Sequence, residues 1–482
     1  MGSGVGGLAT AIRLAAKGHE VNIFEKNAYP GGKLTEFTTN GYRFDKGPSL
    51  FTLPELIDEL SELTGFKGDF RYRRLETISN YFYEDGSRVT AYADQDKFAK
   101  ELHDKLGEDE VNVKKQLTKS KFYYDTTADL FLNQSLHQVK NFINLKTLKG
   151  IVKAPFLGLN KSMHAQNEAQ FKNKKTVQLF DRYATYNGSD PYKAPALMNI
   201  VNHLEFGLGA FLPERGMHQI TEHLVDIANH VGVKFYFSHS VEEVVVENNK
   251  VKGIKSNGNL FQSDLVVSDV DMHVLYNKLL PEAFKPHKLL DQEKSSSAYV
   301  FYWGIKKEFN ELGLHNILFS NNYKEEFEHL FEKDKPSKDP TIYINITSKY
   351  CRADAPEGCE NWFVMVNVPH HKNKQGVNYA SELREQVVKK INRMLHTDIE
   401  KFIEAEEKLD PIDIEQQTSS FGGSLYGNAS NTKFSAFLRH ANYSSKIKGL
   451  YLVGGSVHPG GGIPLCLLSG KIASELIQER EN

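Results

Sequence analysis

The spacing at which apolar residues recur changes twice within the first 25 residues. A glycine-rich run at residues 2–7 precedes a stretch whose apolar side chains recur at helical spacing as far as Gly18. Residues 21–24 then alternate as a short strand and end at Glu25. The pattern predicts a glycine turn, a helix and a strand, in that order.

The rest of the chain mixes both periods. Strand-like alternation is found at residues 233–237, 241–247, 251–255 and 265–267, and residues 449–453 have the apolar pattern of a buried strand. Helical periodicity is found at residues 217–230 and 465–477, and a highly charged stretch at 324–335 predicts a helix with one solvated face. No long Gly/Ser linker separates these blocks, which favours interleaved domains over consecutive ones. The pattern predicts a combined α/β and α+β fold.

Length and composition exclude several classes of protein. A chain of 482 residues is too long for one compact core, so two domains are expected. The formal net charge of −2 gives no reason to expect a nucleic-acid partner, and no apolar stretch is long enough for a spanning helix. The start lacks the pattern of a secretory signal. The three cysteines form no C-x-x-C pair, which suits a reducing cytosol and disfavours a disulfide framework or a metal site.

The opening motif is a G-x-G-x-x-G formed by Gly2, Gly4 and Gly7. In such motifs the glycines let backbone amides approach a pyrophosphate at the positive end of a helix. An acidic residue about twenty positions later binds the ribose hydroxyls, and Glu25 is the candidate for this role. The alternative is a tight turn that opens an ordinary helix. Such a motif should follow a buried strand, yet only Met1 precedes it. We expect a start site placed too far downstream, so that the first strand is missing, unless another segment fills its place.

The segments that follow indicate which dinucleotide is bound. No second G-x-G-x-x-G occurs, which disfavours a separate nicotinamide domain. Instead, the glycine pair Gly31-Gly32 with Lys33 comes soon after the acid, and the F-D-x-G-P segment ends at Gly47-Pro48-Ser49. These two segments resemble those that wrap the flavin end of FAD in the flavin amine-oxidase superfamily.

The C-terminal segment carries a second, more specific resemblance. Residues 450–464 read L-Y-L-V-G-G-S-V-H-P-G-G-G-I-P, a pattern similar to the end of the carotenoid (phytoene-type) desaturases. The run Gly460-Gly461-Gly462 and the Pro464-Leu465 pair are most like the hydroxycarotenoid 3,4-desaturase branch. Residues 205–216 are similar to a further turn of the family, although Leu212 and Arg215 differ from its pattern.

The resemblance implies an FAD cofactor and a set of residues that bind it. These are Gly2, Gly4, Gly7, Glu25, Lys26, Gly31, Gly32, Lys33, Leu34, Gly47, Pro48, Ser49, Val241, Gly454, Gly455, Ser456, Gly462, Ile463 and Pro464. It also implies a Rossmann-like FAD-binding domain at residues 1–70, 205–275 and 415–482. A mixed-sheet and helical substrate-binding domain, with a helical lid or membrane-facing part, would comprise residues 71–204 and 276–414.

A carotenoid is long and uncharged, so the substrate site should be an extended apolar tunnel. Aromatic-rich stretches at residues 122–124, 130–132 and 299–303 are candidates for its lining, with ordinary core packing as the alternative for each residue. Residues 130–167 contain no acid, and five lysines there alternate with apolar side chains: Lys140, Lys146, Lys149, Lys153 and Lys161. This segment predicts peripheral contact with the inner face of the cell membrane by an otherwise cytoplasmic protein, a plain basic helix being the alternative.

The implied reaction is the FAD-dependent desaturation of a carotenoid, with C3–C4 of a 1-hydroxycarotenoid as the specific expectation. No motif marks a catalytic base. His458 lies beside the flavin-facing turn, but a hydrogen-bonding role in the turn is the better interpretation. Oxygen or a membrane quinone is the expected electron acceptor. The alternatives are a phytoene-type desaturase, a carotenoid isomerase, and a lipid-escort protein that has lost its cofactor.

Overall fold

The structure, a computed structural model, describes residues 1–138, 141, 156–371, 379–432, 435 and 438–481. Its helices are α1 (Val5–Ala15), α2 (Glu55–Thr64), α3 (Gln95–Leu106), α4 (Glu110–Phe131), α5 (Met163–Gln170), α6 (Lys174–Asp181), α7 (Ile200–His203), α8 (Gln219–His230), α9 (Met272–Val274), α10 (His287–Leu290), α11 (Tyr323–Phe331), α12 (Ala380–Leu395), α13 (Pro411–Thr418) and α14 (Ile463–Glu481).

Strands occur from the first to the last part of the chain. They are β1 (Asn22–Phe24), β2 (Glu36–Thr39), β3 (Tyr42–Asp45), β4 (Tyr72–Arg74), β5 (Thr77–Phe82), β6 (Arg88–Tyr92), β7 (Phe211–Pro213), β8 (Lys234–Tyr236), β9 (Val241–Glu247), β10 (Lys250–Ser256), β11 (Asn259–Gln262), β12 (Val266–Ser268), β13 (Ser297–Ile305), β14 (His315–Leu318), β15 (Ile342–Ile346), β16 (Glu360–Val368), β17 (Ile403–Leu409) and β18 (Leu450–Leu452).

The largest sheet of the described residues has seven strands in the order β17-β13-β16-β15-β14-β5-β6. Only the β14–β5 pair is parallel, and the others are antiparallel. All nine residues of β13 are buried, as expected for a central strand covered on both faces. On one face Trp303 and its neighbours pack against Val387 and Ile391 of α12. This sheet forms a wall of the cavity described below.

Two parallel strand pairs, β1–β8 and β12–β18, flank the start of the chain. The Met1 amino group donates to Val267 O at 2.8 Å, and the Gly2 amide donates to Phe24 O at 2.8 Å. Met1 and Gly2 therefore lie between the two pairs, where the sequence pattern calls for a strand. Among the described residues no strand joins the pairs.

Helix α1 packs between α14 and α8 because small residues face its neighbours. A Cβ atom added at Gly470 of α14 would lie 3.0 Å from the Gly6 carbonyl oxygen. Leu8, Ala9 and Ile12 of α1 are buried in the same core as Ile220 and Leu224 of α8. This packing holds the N-terminus of α1 beside the C-terminal part of the chain. The predicted mixture of α/β and α+β structure is confirmed by mixed sheets and helices of this kind.

Candidate functional site

The first glycine turn presents the N-terminus of α1 to the interior. Gly4 is the N-cap residue, and Gly2 has a φ of +86°, which favours glycine. Amides in the first turn of a helix have no intrahelical partner, and the helix dipole makes this end positive. The turn therefore has the local geometry of an anion-binding site.

Glu25, the predicted ribose-binding acid, is buried beside this turn. Its carboxylate accepts hydrogen bonds from the Ser3 amide at 2.9 Å and the Ser3 hydroxyl at 2.8 Å. The Asn27 amide donates to the second oxygen at 2.9 Å. These donors hold the carboxylate at the end of β1, next to the glycine turn.

The N-terminal and C-terminal glycine turns contact each other. A Cβ atom at Gly6 would lie 2.9 Å from the Gly454 amide nitrogen, and Gly454 has a φ of +92°. The Gly31 amide donates to Ser3 O at 2.9 Å, and a Cβ atom at Gly47 would lie 2.0 Å from Lys33 O. Four glycine segments that are distant in the sequence thus converge through backbone contacts that side chains would block. This arrangement fits a dinucleotide held by backbone groups.

Asp269 lies where the two turns meet, and no motif in the sequence predicted it. It follows β12, and its Oδ2 accepts the Gly7 amide at 3.0 Å. A Cβ atom at Gly4 or Gly454 would lie within 2.5 Å of its carboxylate oxygens. Burial raises the pKa of Asp269 to about 6, although the Gly7 amide and the Met1 amino group oppose the rise. Asp269 therefore places a titratable group at the N-terminus of α1.

The other predicted cofactor residues surround these turns. The half-buried Lys33 donates from its ammonium group to Leu425 O at 2.8 Å, and burial lowers the pKa of Lys33. Lys26 donates to Gln416 O at 2.7 Å, and Leu34 is buried. Ser456 Oγ accepts the Met272 amide at 3.0 Å. Val241 begins β9, where it is half-buried.

A cavity of about 410 Å³ adjoins the segments that the sequence predicts to bind the flavin end of the cofactor. Eight predicted cofactor residues line it: Gly32, Lys33, Gly47, Pro48, Ser49, Gly462, Ile463 and Pro464. The remaining predicted residues do not: Gly2, Gly4, Gly7, Glu25, Lys26, Gly31, Leu34, Val241, Gly454, Gly455 and Ser456. Gly462 has a φ of +110°, and a Cβ atom there would meet no atom within 4 Å. The predicted residues thus separate into a set that lines the cavity and a set that does not, and Gly2, Gly4 and Gly7 of the α1 turn belong to the second set.

Apolar side chains form most of the cavity wall. They come from α4, from the segment around α7 and from the seven-stranded sheet: Phe131, Leu132, Leu197, Met198, Val201, Leu204, Ala298, Val300, Ile317, Phe363, Met365 and Leu409. Such a wall suits an extended uncharged molecule, because each buried CH₂ group contributes about 0.8 kcal/mol to binding.

Only part of the predicted substrate lining reaches the cavity. Tyr124, Phe131, Leu132 and Val300 line it. Tyr299, Phe301 and Trp303 instead pack in the core under α12, Tyr302 packs against Phe44, and Tyr123 is buried outside the cavity. The reason is the two-residue period of β13, which sends alternate side chains to opposite faces of the sheet. Phe122 lies on α4 outside the cavity, and the side chain of Leu130 is outside the described residues.

His458 lines the cavity but has a structural role. Its Nε2 lies 2.8 Å from Gln134 O, and its carbonyl oxygen accepts Asn442 Nδ2 at 2.7 Å. Burial lowers the pKa of His458 to about 4, so the ring is neutral at physiological pH. The interpretation as a hydrogen-bonding turn residue is the better supported one.

A polar cluster in the cavity wall was not predicted. It consists of the buried residues Arg182, Glu205 and His315 and the half-buried residues Ser49, Tyr186 and Tyr343. Its members come from a loop, from the segment that follows α6, from the segment that follows α7 and from two strands. No local motif could have indicated it, because the residues meet only in the folded chain.

The basic segment of residues 140–161 lies mostly outside the described residues, including Lys140, Lys146, Lys149 and Lys153. Of its described part, Phe156 is 70% exposed and Lys161 is exposed. Within the described ranges, no helix combines the length and the apolar character needed to cross a membrane. In the same ranges, no group of three or more His, Cys, Asp or Glu residues could hold a metal ion.

Comparison with known proteins agrees with the family resemblance found in the sequence. Residues 5–478 match the family described as flavin containing amine oxidoreductase. The chain is 49% identical over 478 residues to a 1-hydroxycarotenoid 3,4-desaturase of Flavobacterium sp. (strain P99-3), covering 99% of this chain and 98% of that protein. It is 28% identical over 493 residues to a phytoene desaturase of Phycomyces blakesleeanus, covering 99% of this chain and 84% of that protein.

Among solved structures, the fold is similar to that of cyclohexylamine oxidase from Brevibacterium oxydans. The TM-score is 0.63 at 13% identity, and the match covers 100% of this chain and 98% of that one. At this identity the likeness shows the fold alone.

Proposed function

The chain belongs to the family of flavin-containing amine oxidoreductases, and on this premise we propose that it desaturates the C3–C4 bond of a 1-hydroxycarotenoid. It is an FAD-dependent carotenoid desaturase of carotenoid biosynthesis. The observation that carries this function is the shared wall of one cavity. Gly47–Ser49 and Gly462–Pro464 form one side of it, and apolar side chains of α4 and the seven-stranded sheet form the rest.

FAD fits the residues that are present. The α1 turn and Glu25 would hold the pyrophosphate and the ribose, and Lys33 with the Gly462 turn would face the flavin end. When bound, FAD supplies the two-electron acceptor for the hydrogen that leaves the substrate. The remaining catalytic contribution of the chain is alignment of the polyene and exclusion of water by the apolar wall.

The test of this function is turnover of a small substrate panel. The FAD-loaded protein should shift the visible absorption of a 1-hydroxycarotenoid to longer wavelength and produce a compound that has lost two hydrogens. Carotenes without the hydroxyl should react more slowly. A product of unchanged mass would indicate isomerisation and refute the desaturase assignment.

We propose the domain division given by the sequence pattern. An FAD-binding domain would comprise residues 1–70, 205–275 and 415–482, and a substrate-binding domain residues 71–204 and 276–414. In support, every strand of the seven-stranded sheet falls within the second set. The pairs β1–β8 and β12–β18 fall within the first.

We further propose peripheral contact with the inner face of the cell membrane. In support, a groove on the outer face of α4 combines apolar and cationic side chains: Val111, Lys114, Lys115, Thr118, Lys119 and Phe122. The opposite face of α4 supplies Tyr124 and Phe131 to the cavity wall. Vesicles of phosphatidylcholine with phosphatidylglycerol should carry the protein in a flotation assay. Recovery equal to that with phosphatidylcholine alone would refute an electrostatic contact.

Oxygen or a membrane quinone is the proposed electron acceptor. The support is the lack of a second dinucleotide motif in the sequence. Turnover in the absence of oxygen should stop after one cycle and resume on addition of a quinone if a quinone is the acceptor. Resumption on addition of a nicotinamide dinucleotide alone would contradict the proposal.

A further inference from the structure

The polar cluster in the cavity wall needs an explanation, because an uncharged polyene offers it no partner. Arg182 is 7% exposed, Glu205 0% and His315 3%. Burying polar groups costs free energy unless hydrogen bonds compensate. The bonding of each member therefore shows which groups are satisfied and which still have capacity for a ligand.

Glu205 and Arg182 are held mainly by tyrosines. The Tyr183 hydroxyl donates to Glu205 Oε2 at 2.7 Å, and the Tyr186 hydroxyl donates to Oε1. Arg182 donates from Nη2 to the Tyr81 hydroxyl at 2.9 Å, and its guanidinium lies 4.8 Å from the centre of the Tyr183 ring. These contacts fix the orientation of both side chains within the cluster.

His315 differs, because one ring nitrogen has partners and the other has none. Nδ1 lies 2.7 Å from the Tyr343 hydroxyl and accepts from Asn345 Nδ2 at 3.1 Å. The same Asn345 nitrogen donates to Leu314 O at 3.0 Å, which fixes the orientation of the amide. With Nδ1 accepting, the proton of a neutral imidazole lies on Nε2.

The imidazole is neutral at physiological pH. Burial, with the nearby Arg182 charge, lowers the pKa of His315 to about 3. Nε2 is thus a buried N–H donor, and among the described residues it has no hydrogen-bond acceptor. A donor left in this state destabilises the fold unless a ligand supplies an acceptor.

We propose that His315 Nε2 donates a hydrogen bond to the hydroxyl group of the substrate and thereby selects hydroxylated carotenoids. The inference rests on the proposed function and names a specificity-determining residue for it. Tyr343 is the positioning residue, since its hydroxyl helps to keep Nδ1 an acceptor and Nε2 protonated.

The location of His315 agrees with the bond that is oxidised. In a 1-hydroxycarotenoid, one carbon separates the hydroxyl-bearing C1 from the C3–C4 bond. The group that binds the hydroxyl must therefore lie close to the flavin end of the cavity. Ser49, which follows the Gly47-Pro48 turn expected at the flavin, is 2.6 Å from the Tyr343 hydroxyl. Two hydrogen bonds thus connect the proposed flavin-end segment to His315.

The experiment compares two substrates in FAD-loaded variants: a 1-hydroxycarotenoid and the same polyene without the hydroxyl. The wild-type ratio of kcat/KM should favour the hydroxylated substrate roughly 10- to 100-fold, the effect of one buried hydrogen bond. His315→Leu, which has no donor, should bring the ratio close to one. His315→Gln, which keeps a donor, should restore part of it, and Tyr343→Phe should lower it.

Tyr83→Phe is the matched control. It also removes a buried hydroxyl, which donates to Lys175 O at 2.9 Å, but Tyr83 does not line the cavity. Its ratio should equal that of the wild type. The flavin absorption band and the Tm of every variant show whether fold and cofactor are intact. If His315→Leu does not fold, the ratios of His315→Gln and Tyr343→Phe decide the question.

The outcomes separate this inference from the function beneath it. A wild-type enzyme that turns over both substrates equally, or a His315→Leu variant that keeps the full preference, would overturn the role of His315 and leave the desaturase assignment standing. A flavin-loaded wild type that converts neither substrate would overturn the proposed function, and the inference with it.

Discussion

Replacing Asp269 with asparagine should remove a pH-dependent loss of folding stability at the proposed cofactor site. Burial raises the pKa of this carboxyl from 3.8 to about 6. The folded state therefore binds the proton more tightly than the unfolded chain, and stability falls as the pH rises from about 4 to about 6. Above about pH 6 the ionised carboxylate costs the folded protein about 3 kcal/mol.

Asparagine carries no such cost, and its Oδ1 can still accept the Gly7 amide that Asp269 accepts at 3.0 Å. Denaturation of the protein without FAD should show little difference between Asp269→Asn and wild type near pH 4. The variant should be more stable by up to about 3 kcal/mol above pH 6. The groups that face this carboxyl are the Met1 amino group, Glu25 and Lys33.

FAD binding gives a second readout of the same carboxyl. A pyrophosphate at the N-terminus of α1 adds negative charge beside Asp269, which opposes its ionisation. The affinity of the wild type for FAD should therefore fall by up to about tenfold for each pH unit above about 6, as one linked proton requires. Titration of flavin fluorescence over this pH range measures the slope, and the slope should be absent in Asp269→Asn.

Asp190→Asn is the control for this prediction. Burial also raises the pKa of Asp190 to about 6, but this residue accepts the Tyr192 amide, away from the glycine turns. Asp190→Asn should alter the pH dependence of the folding stability and leave the affinity for FAD unchanged at every pH. An equal pH slope of FAD affinity in Asp269→Asn and wild type would refute the reasoning.

Three further predictions concern the same site. Gly6→Ala would place a Cβ atom 2.9 Å from the Gly454 amide nitrogen. It should therefore lower the free energy of unfolding by about 1–3 kcal/mol, measured by denaturation, and weaken FAD binding, measured by flavin fluorescence. An unchanged FAD affinity would show that FAD binding does not need the contact between the two turns. Glu25→Gln should weaken FAD binding roughly tenfold through loss of the charged acceptor at the ribose, and calorimetric titration that gives a wild-type Kd would contradict this role. Val300→Phe should narrow the cavity and lower kcat/KM for the carotenoid with an unchanged flavin spectrum, whereas normal turnover would place the substrate elsewhere.

The sequence predicted those parts of the site that depend on local backbone geometry. Clusters of glycine at residues 2–7, 31–32 and 454–462 indicate places where backbone segments pack closely. The structure brings these segments together through contacts such as that of Gly6 with Gly454. Helix and strand predictions held for the same reason, since α1, β9 and α14 each carry a clear period.

The rest depends on contacts between distant residues. Asp269 meets Gly7 only after the chain folds, and a lone acid after a short strand carries no local signal. His315 and Tyr343 lie on neighbouring antiparallel strands, β14 and β15, and each reads in the sequence as an isolated polar residue. The aromatic run at residues 299–303 illustrates the opposite case, because its composition indicated a substrate wall while its period of two placed most of it in the core.

The most direct test is a single turnover without oxygen. The FAD-loaded protein is mixed with one equivalent of a 1-hydroxycarotenoid, and the flavin and polyene bands are recorded together. We expect the flavin band to bleach as the polyene band moves to longer wavelength, with one new double bond for each flavin reduced. A flavin band that stays oxidised while the polyene spectrum is unchanged would contradict the assignment of this cavity as the site of carotenoid desaturation.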